Sequence, residues 1–121
     1  MRIRNQTTGA RLRIVLEPDI ALGPGKADLL EGIDSTGSIA AAGRDLGMSY
    51  KRAWGLVEEM NADFGQPLVH TTKGGRNFGG AGLTPVGQQV LTLYRRMEER
   101  AGEAIQGEMK ALRKLRTAIA K

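Results

Sequence analysis

Cysteine is absent from this 121-residue chain, which excludes disulfides and thiolate metal sites. That composition suits a reducing compartment, and the chain is expected to be cytoplasmic. Aromatic residues make up only 4%, so any core must be built from Leu, Ile, Val, Met and Ala. No apolar run approaches the roughly 20 residues of a membrane span. The N-terminus, MRIRNQTTGARLRIVLEPDIALG, starts basic, but its apolar segment from Leu12 to Leu16 is short and contains Arg13, so no signal peptide is expected there. The single histidine, His70, lies in an apolar strand-like stretch without the positioned partners that catalysis needs. Glu58, Glu59 and Asp63 read as an exposed helix face rather than an acid–base pair. An enzyme is therefore not expected, and no cluster has metal-ligand spacing.

What the chain does have is 40% hydrophobic residues and a net charge of +5. The first is enough for one modest domain; the second favours an anionic partner. The most informative stretch is SIAAAGRDLGMSYKRAWGLVEEMNADF, Ser38 to Phe64. It reads as two short helices joined by a glycine turn at Leu46-Gly47-Met48, the sequence form of a helix-turn-helix. Ser38 and Ser49 are placed to cap the two helices. Ile39, Ala42 and Leu46 form the buried stripe of the first, and Ala53, Val57, Met60 and Phe64 that of the second. The run Ala40, Ala41, Ala42, Gly43 lets the helices cross closely.

Residues 1–10 read as a flexible basic N-terminus. Alternation from Arg11 predicts a half-buried strand, with Leu12, Ile14 and Leu16 inward, ending at Pro18. A loop at Gly23-Pro24-Gly25 precedes a helix over Lys26–Thr36 with Leu29, Leu30 and Ile33 on one face. Beyond Pro67, Leu68–Thr72 reads as a strand, Lys73–Gly82 as a glycine-rich loop, and Leu83 as the return of the hairpin. Thr84-Pro85 is a helix start. From Val86 an apolar register (Val90, Leu93, Met97, Ala101, Ala104, then Leu112, Leu115 and Ile119) runs without proline, broken only by Glu108. One continuous helix there would be about 50 Å long. No small monomer has a core of that length, so its distal half is expected to pair with a second copy. The fold class that follows is mainly α with a small β-hairpin: a winged helix-turn-helix over 11–83, plus a long dimerisation helix over 84–121. Val90, Leu93, Met97, Ala101, Leu112 and Leu115 are the expected dimer contacts.

The segments GIDSTGSIAAAGRDLGMSYKRAWGLVEEMN and PLVHTTKGGRNFGGAGLTPVGQQVLTLYRRMEE carry a family resemblance. Through GSIAAAG, SYKRAW, EEMN and the glycine-rich wing leading into LTPVGQ, the chain resembles the N-terminal DNA-binding domain of ModE-type molybdenum-responsive regulators, over roughly Leu12 to Glu99. LysR-type regulators share the looser architecture without the SYKRAW segment or the glycine-rich wing. The resemblance implies a transcriptional regulator linked to molybdenum metabolism that binds double-stranded DNA as a homodimer. Full-length members add C-terminal molybdate-binding domains. The sequence stops at Lys121, so a single-domain form, or a piece of a longer one, is expected. No residues here correspond to that oxyanion site, so no cofactor and no direct molybdate binding are expected.

Lys51 and Arg52, at the start of the second helix of the motif, are the expected DNA contacts, since both can bond guanine and Lys also phosphate. Ser49 and Tyr50 can donate to phosphate, although capping explains Ser49 equally well. Trp54 either packs at the core edge or touches sugar and thymine methyl groups. Arg44 either meets the DNA backbone or pairs with Asp45. Lys73 and Arg76 sit in the expected wing, where basic residues suit the minor groove or nearby phosphates. The loop lacks the Lys-Ser or Lys-Thr of a nucleotide-binding loop. Two other classes stay open. The winged helix can serve as a protein-interaction module acting through a larger partner, or as a direct oxyanion sensor.

Overall fold

The computed structural model describes residues 9–72 and 80–116. A first hairpin pairs β1 (Ile14–Glu17) with β2 (Ile20–Leu22) in antiparallel register, Ile14 opposite Leu22 and Val15 opposite Ala21. The predicted strand is therefore real but shorter, and it has a partner that alternation did not reveal. The register shifts between Val15 and Glu17, which interrupts the period of two. Val15 and Leu16 are consequently both exposed, a correction to the expected inward Leu16.

Three helices follow: α1 (Pro24–Thr36), α2 (Ile39–Asp45) and α3 (Tyr50–Phe64). Their boundaries follow from local chemistry. Pro24 occupies the first turn of α1, where its missing N–H costs nothing, and Gly37 ends that helix in the left-handed region at φ 73°, donating its N–H to the Ile33 carbonyl. Ser38 and Ser49 cap α2 and α3 by accepting the N–H groups of Ala41 and Arg52, each at 3.0 Å. Each cap is worth about 1 kcal/mol. The turn between them passes through Gly47 at φ 75°.

Ala27, Leu29, Leu30 and Ile33 of α1 meet Ile39 and Ala42 of α2 and Ala53, Val57 and Met60 of α3 in a single core. The close crossing expected from the small residues is present: a Cβ on Gly43 would lie 2.9 Å from that of Ala53.

The second hairpin pairs β3 (Val69–Thr71) with β4 (Ala81–Leu83), Val69 opposite Leu83. Residues 73–79, with Lys73 and Arg76, lie outside the described residues. Thr84 both caps the next helix, accepting from Gly87, and donates its hydroxyl to the Pro67 carbonyl. That helix, α4 (Pro85–Ala104), is followed by α5 (Gln106–Leu115).

One continuous C-terminal helix was expected, and the structure divides it at Ile105, whose backbone leaves helical geometry (φ −101°, ψ 12°). Gly102 and Gly107 flank the break, and each glycine weakens a helix by about 1 kcal/mol relative to alanine. The Gln106 amide bonds the Gly102 carbonyl, satisfying an acceptor beside the break. The two pieces span about 30 Å and 15 Å.

The buried residues of α4 are Gly87, Leu91 and Tyr94. Val90 and Met97 also pack against the chain's own core, partly buried. The apolar face left uncovered is thus narrower than the sequence register suggested: Leu93, Leu112 and Leu115 are exposed, with Ala101 half-buried.

A polar seam fixes α4 against α1. Gln88 donates to Asp34 at 2.9 Å, and the Arg95 guanidinium meets Asp28 at 2.9 Å, Glu31 at 2.7 Å and Glu98 at 2.9 Å. Burial opposes the Arg95 charge most strongly, but the bonds to Asp28, Glu98 and Glu31 outweigh it, so its pKa is raised above the ordinary value. Beside it, the Tyr94 hydroxyl donates to the Leu12 carbonyl, tying the N-terminal segment to α4.

Candidate nucleic-acid interface

Helix α3 owes its position to contacts on three sides. Ala53, Val57 and Met60 face the core. On one flank, the Asn61 side-chain carbonyl accepts the backbone N–H groups of Leu68 and Val69 at 2.8 and 3.4 Å, joining α3 to the root of the wing. On the other, Lys26 of α1 reaches Glu59 at 2.8 Å and Asp63 at 3.9 Å. The remaining face is open, and it carries Lys51, Gly55, Glu58 and Ala62.

Lys51 and Arg52 are exposed in the first turn of α3, and among the described residues neither has an ion-pair partner. That placement costs a little stability, because cations sit poorly at the positive end of a helix dipole. The charges add to the dipole instead of cancelling it, and the result is a concentrated positive potential at the exposed end of the helix. Lys26 partly offsets the Glu59 and Asp63 charges, which would otherwise weaken that potential more.

Ser49 is exposed and committed to its cap. Tyr50 is 58% exposed and stands edge-on to Trp54, with ring centroids 6.2 Å apart at 77°. Trp54 itself is partly buried against the core, so its ring bridges the interior and the outer surface. Arg44 is exposed on α2, and among the described residues no ion pair joins it to Asp45. The structure thus brings Ser49, Tyr50, Lys51, Arg52 and Trp54 together at one end of α3, with Arg44 on the preceding helix.

Sequence reasoning missed Asn61, Lys26 and the first hairpin. The Pro18-Asp19 turn was a readable hairpin signal. Nothing local marks Lys26 or Asn61, since their partners lie 33 and 7 residues away.

Three helices around one core, a tight turn before an exposed helix, and a hairpin packed behind it define a winged helix-turn-helix. Residues 27–88 match the family described as bacterial regulatory helix-turn-helix protein, lysR family. The chain belongs to that family, and its similarity extends to ModE-type regulators. It is 39% identical over 100 residues to the molybdenum-pterin-binding protein MopB of Rhodobacter capsulatus, covering 82% of this chain and 37% of the relative. It is 35% identical over 119 residues to the transcriptional regulator ModE of Haemophilus influenzae, covering 96% and 47%. The chain therefore spans less than half the length of these relatives. Among solved structures, the DNA complex of the CbnR DNA-binding domain superposes with a TM-score of 0.58 at 25% identity, covering 73% of this chain and 95% of that one.

Proposed function

We propose that this chain is the DNA-reading part of a ModE-type transcriptional regulator linked to molybdenum metabolism, and that it binds a palindromic operator as a homodimer in the cytoplasm. The observation that carries the reading is the exposed pair Lys51 and Arg52 at the dipole-positive end of α3, unpaired among the described residues. The similarity to ModE and to a domain solved on DNA supports it. Helix α3 enters the major groove. Lys73 and Arg76 are assigned to the adjacent backbone or minor groove from their place in the sequence. Exposed Leu93, Leu112 and Leu115 pair with a second copy, setting two reading helices on half-sites about 34 Å apart. The chemistry is recognition alone, with no catalytic residue and no cofactor.

Selection of bound duplexes from random DNA, followed by gel shift of the Lys51→Ala, Arg52→Ala double variant, tests this. The double variant should lose affinity by at least tenfold on the selected site; unchanged affinity would remove α3 as the reading element. The exposed apolar residues of α5 also suit a protein-interaction module. Salt separates the two, because phosphate contacts weaken steeply as salt rises and an apolar dock does not.

A further inference from the structure

A groove of about 430 Å³ runs between the first hairpin and α3, lined by Arg13 and Asp19 of the hairpin, Lys26 of α1, and Arg52, Leu56 and Glu59 of α3. It does not end there. Arg52, Leu56 and Glu59 also line a shallow depression with Ser49, Lys51 and Gly55, so the groove opens onto the face already assigned to DNA. The hairpin and the wing approach α3 from opposite ends of α1. β2 runs directly into Pro24, whereas β4 is held at Gly37, whose carbonyl accepts the Ala81 N–H at 2.9 Å. Thirteen helical residues separate these ends by about 20 Å.

The local charge favours an anion. The lining carries three cations, Arg13, Lys26 and Arg52, against two carboxylates, Asp19 and Glu59, an excess of one positive charge, although Asp63 faces Lys26 from outside the lining at 3.9 Å. Arg13 is exposed and unpaired among the described residues. Its stem lies over the β2–α1 junction, with Cγ 3.9 Å from where a Gly23 Cβ would stand. Two guanidinium groups at the walls of an open polar groove match phosphate oxygens, which they can hold bidentately.

We infer that the β1–β2 hairpin is a second flanking element on DNA, with Arg13 holding a backbone phosphate on the side of α3 opposite the wing. This rests on the DNA-reading function proposed above, yet it adds an element upstream of the family-matched residues 27–88. Phosphate contacts position a protein and carry no base information, so Arg13 contributes affinity and register, not sequence preference.

The test uses the full chain and two fluorescent duplexes of equal length, one selected by the wild-type protein and one a shuffled version of it. Binding is measured by anisotropy across a potassium chloride series. Arg13→Ala should weaken binding about fivefold or more on both duplexes at low salt and flatten the log–log salt slope by about 0.9, the signature of one lost phosphate contact. Arg13→Lys should restore most of the slope. Thermal unfolding of Arg13→Ala should match wild type, since no ion pair is removed. If Arg13→Ala equals wild type in affinity and slope while the Lys51→Ala, Arg52→Ala variant loses binding, the hairpin is idle and this inference fails alone. A loss confined to the selected duplex would make Arg13 a base reader and overturn the phosphate assignment. If selection yields no duplex that the wild-type chain binds, the DNA reading itself falls, and this inference with it.

Discussion

Gly87 is the position where one added methyl should do most damage. It lies in the first turn of α4, directly over the strand leading into the wing. A Cβ built there would stand 2.0 Å from the Leu68 carbonyl oxygen, 2.9 Å from its carbon and 3.2 Å from its Cα. The first distance is about 1 Å inside the closest approach Cβ atoms tolerate, and the obstacle is backbone. No rotamer change relieves it. Leu68 O also accepts the Thr84 N–H at 3.0 Å, and the Leu68 N–H is held by Asn61, so retreat of either element breaks a bond. Forced overpacking of this kind costs about 1–3 kcal/mol and sometimes more, against which the better helix propensity of alanine returns at most about 1 kcal/mol. A 2.0 Å approach to backbone belongs at or beyond the upper end of that range, so after alanine's gain Gly87→Ala should still destabilise the protein by about 2 kcal/mol or more. Gly102→Ala in the same helix is the control, because a Cβ there meets nothing within 4 Å; it should stabilise by up to about 1 kcal/mol. Urea unfolding followed by circular dichroism reads both as midpoint shifts. If Gly87→Ala were as stable as wild type, the close approach of α4 to the wing root would be wrong.

Other consequences can be measured with the same means. Arg95→Ala should cost about 1–2 kcal/mol, because it removes the bonds to Asp28, Glu31 and Glu98 and leaves three carboxylates facing one another; high salt should shrink the difference. Burial first, then the neighbouring Glu98 charge, raise the Tyr94 pKa to about 12 from its ordinary 10.0. Its neutral form is favoured by folding, so that contribution is fully present below pH 10 and is lost as pH climbs through about 12. Relative to Tyr94→Phe, the wild-type urea midpoint should fall across that window; parallel curves would exclude the burial effect. Leu112→Asp with Leu115→Asp should dissociate the proposed homodimer in sedimentation without lowering monomer stability, since both side chains are more than 60% exposed. Unchanged mass would place the dimer contact elsewhere.

The parts legible in the sequence are those dictated by local chemistry. Ser38, Ser49 and Thr84 cap helices where the spacing put them, Gly37 stops α1, and the stripes of α2 and α3 face the core. The reading failed where two patterns overlap or where a partner is distant. In α4 the apolar register through Val86 and Val90 masked a second stripe, Leu91 and Tyr94, and it is this second one that is buried. The Arg95 seam depends on residues 64 and 67 positions away, which no local pattern discloses. The three-residue strand β2 is too short for alternation to register, and the irregularity between Val15 and Glu17 hid the phase of its partner. For the candidate interface, position after the turn pointed to Lys51 and Arg52, which the structure leaves exposed in the first turn of α3. The groove that adds Arg13 needed the fold.

Asn61 gives the molecule the character of a fixed-jaw caliper. By accepting two amides from the wing root, a side chain of α3 locks the gap between helix and wing. In the proposed DNA complex, the contacts of helix and wing would then fall at a set helical phase. An added base pair between them, a rotation of about 35° and a step of about 3.4 Å, could not be absorbed by the protein and would have to be taken up by the DNA. In the proposed homodimer, tolerance to spacing would therefore reside between the two copies, at the break near Ile105, and not within a single reading head.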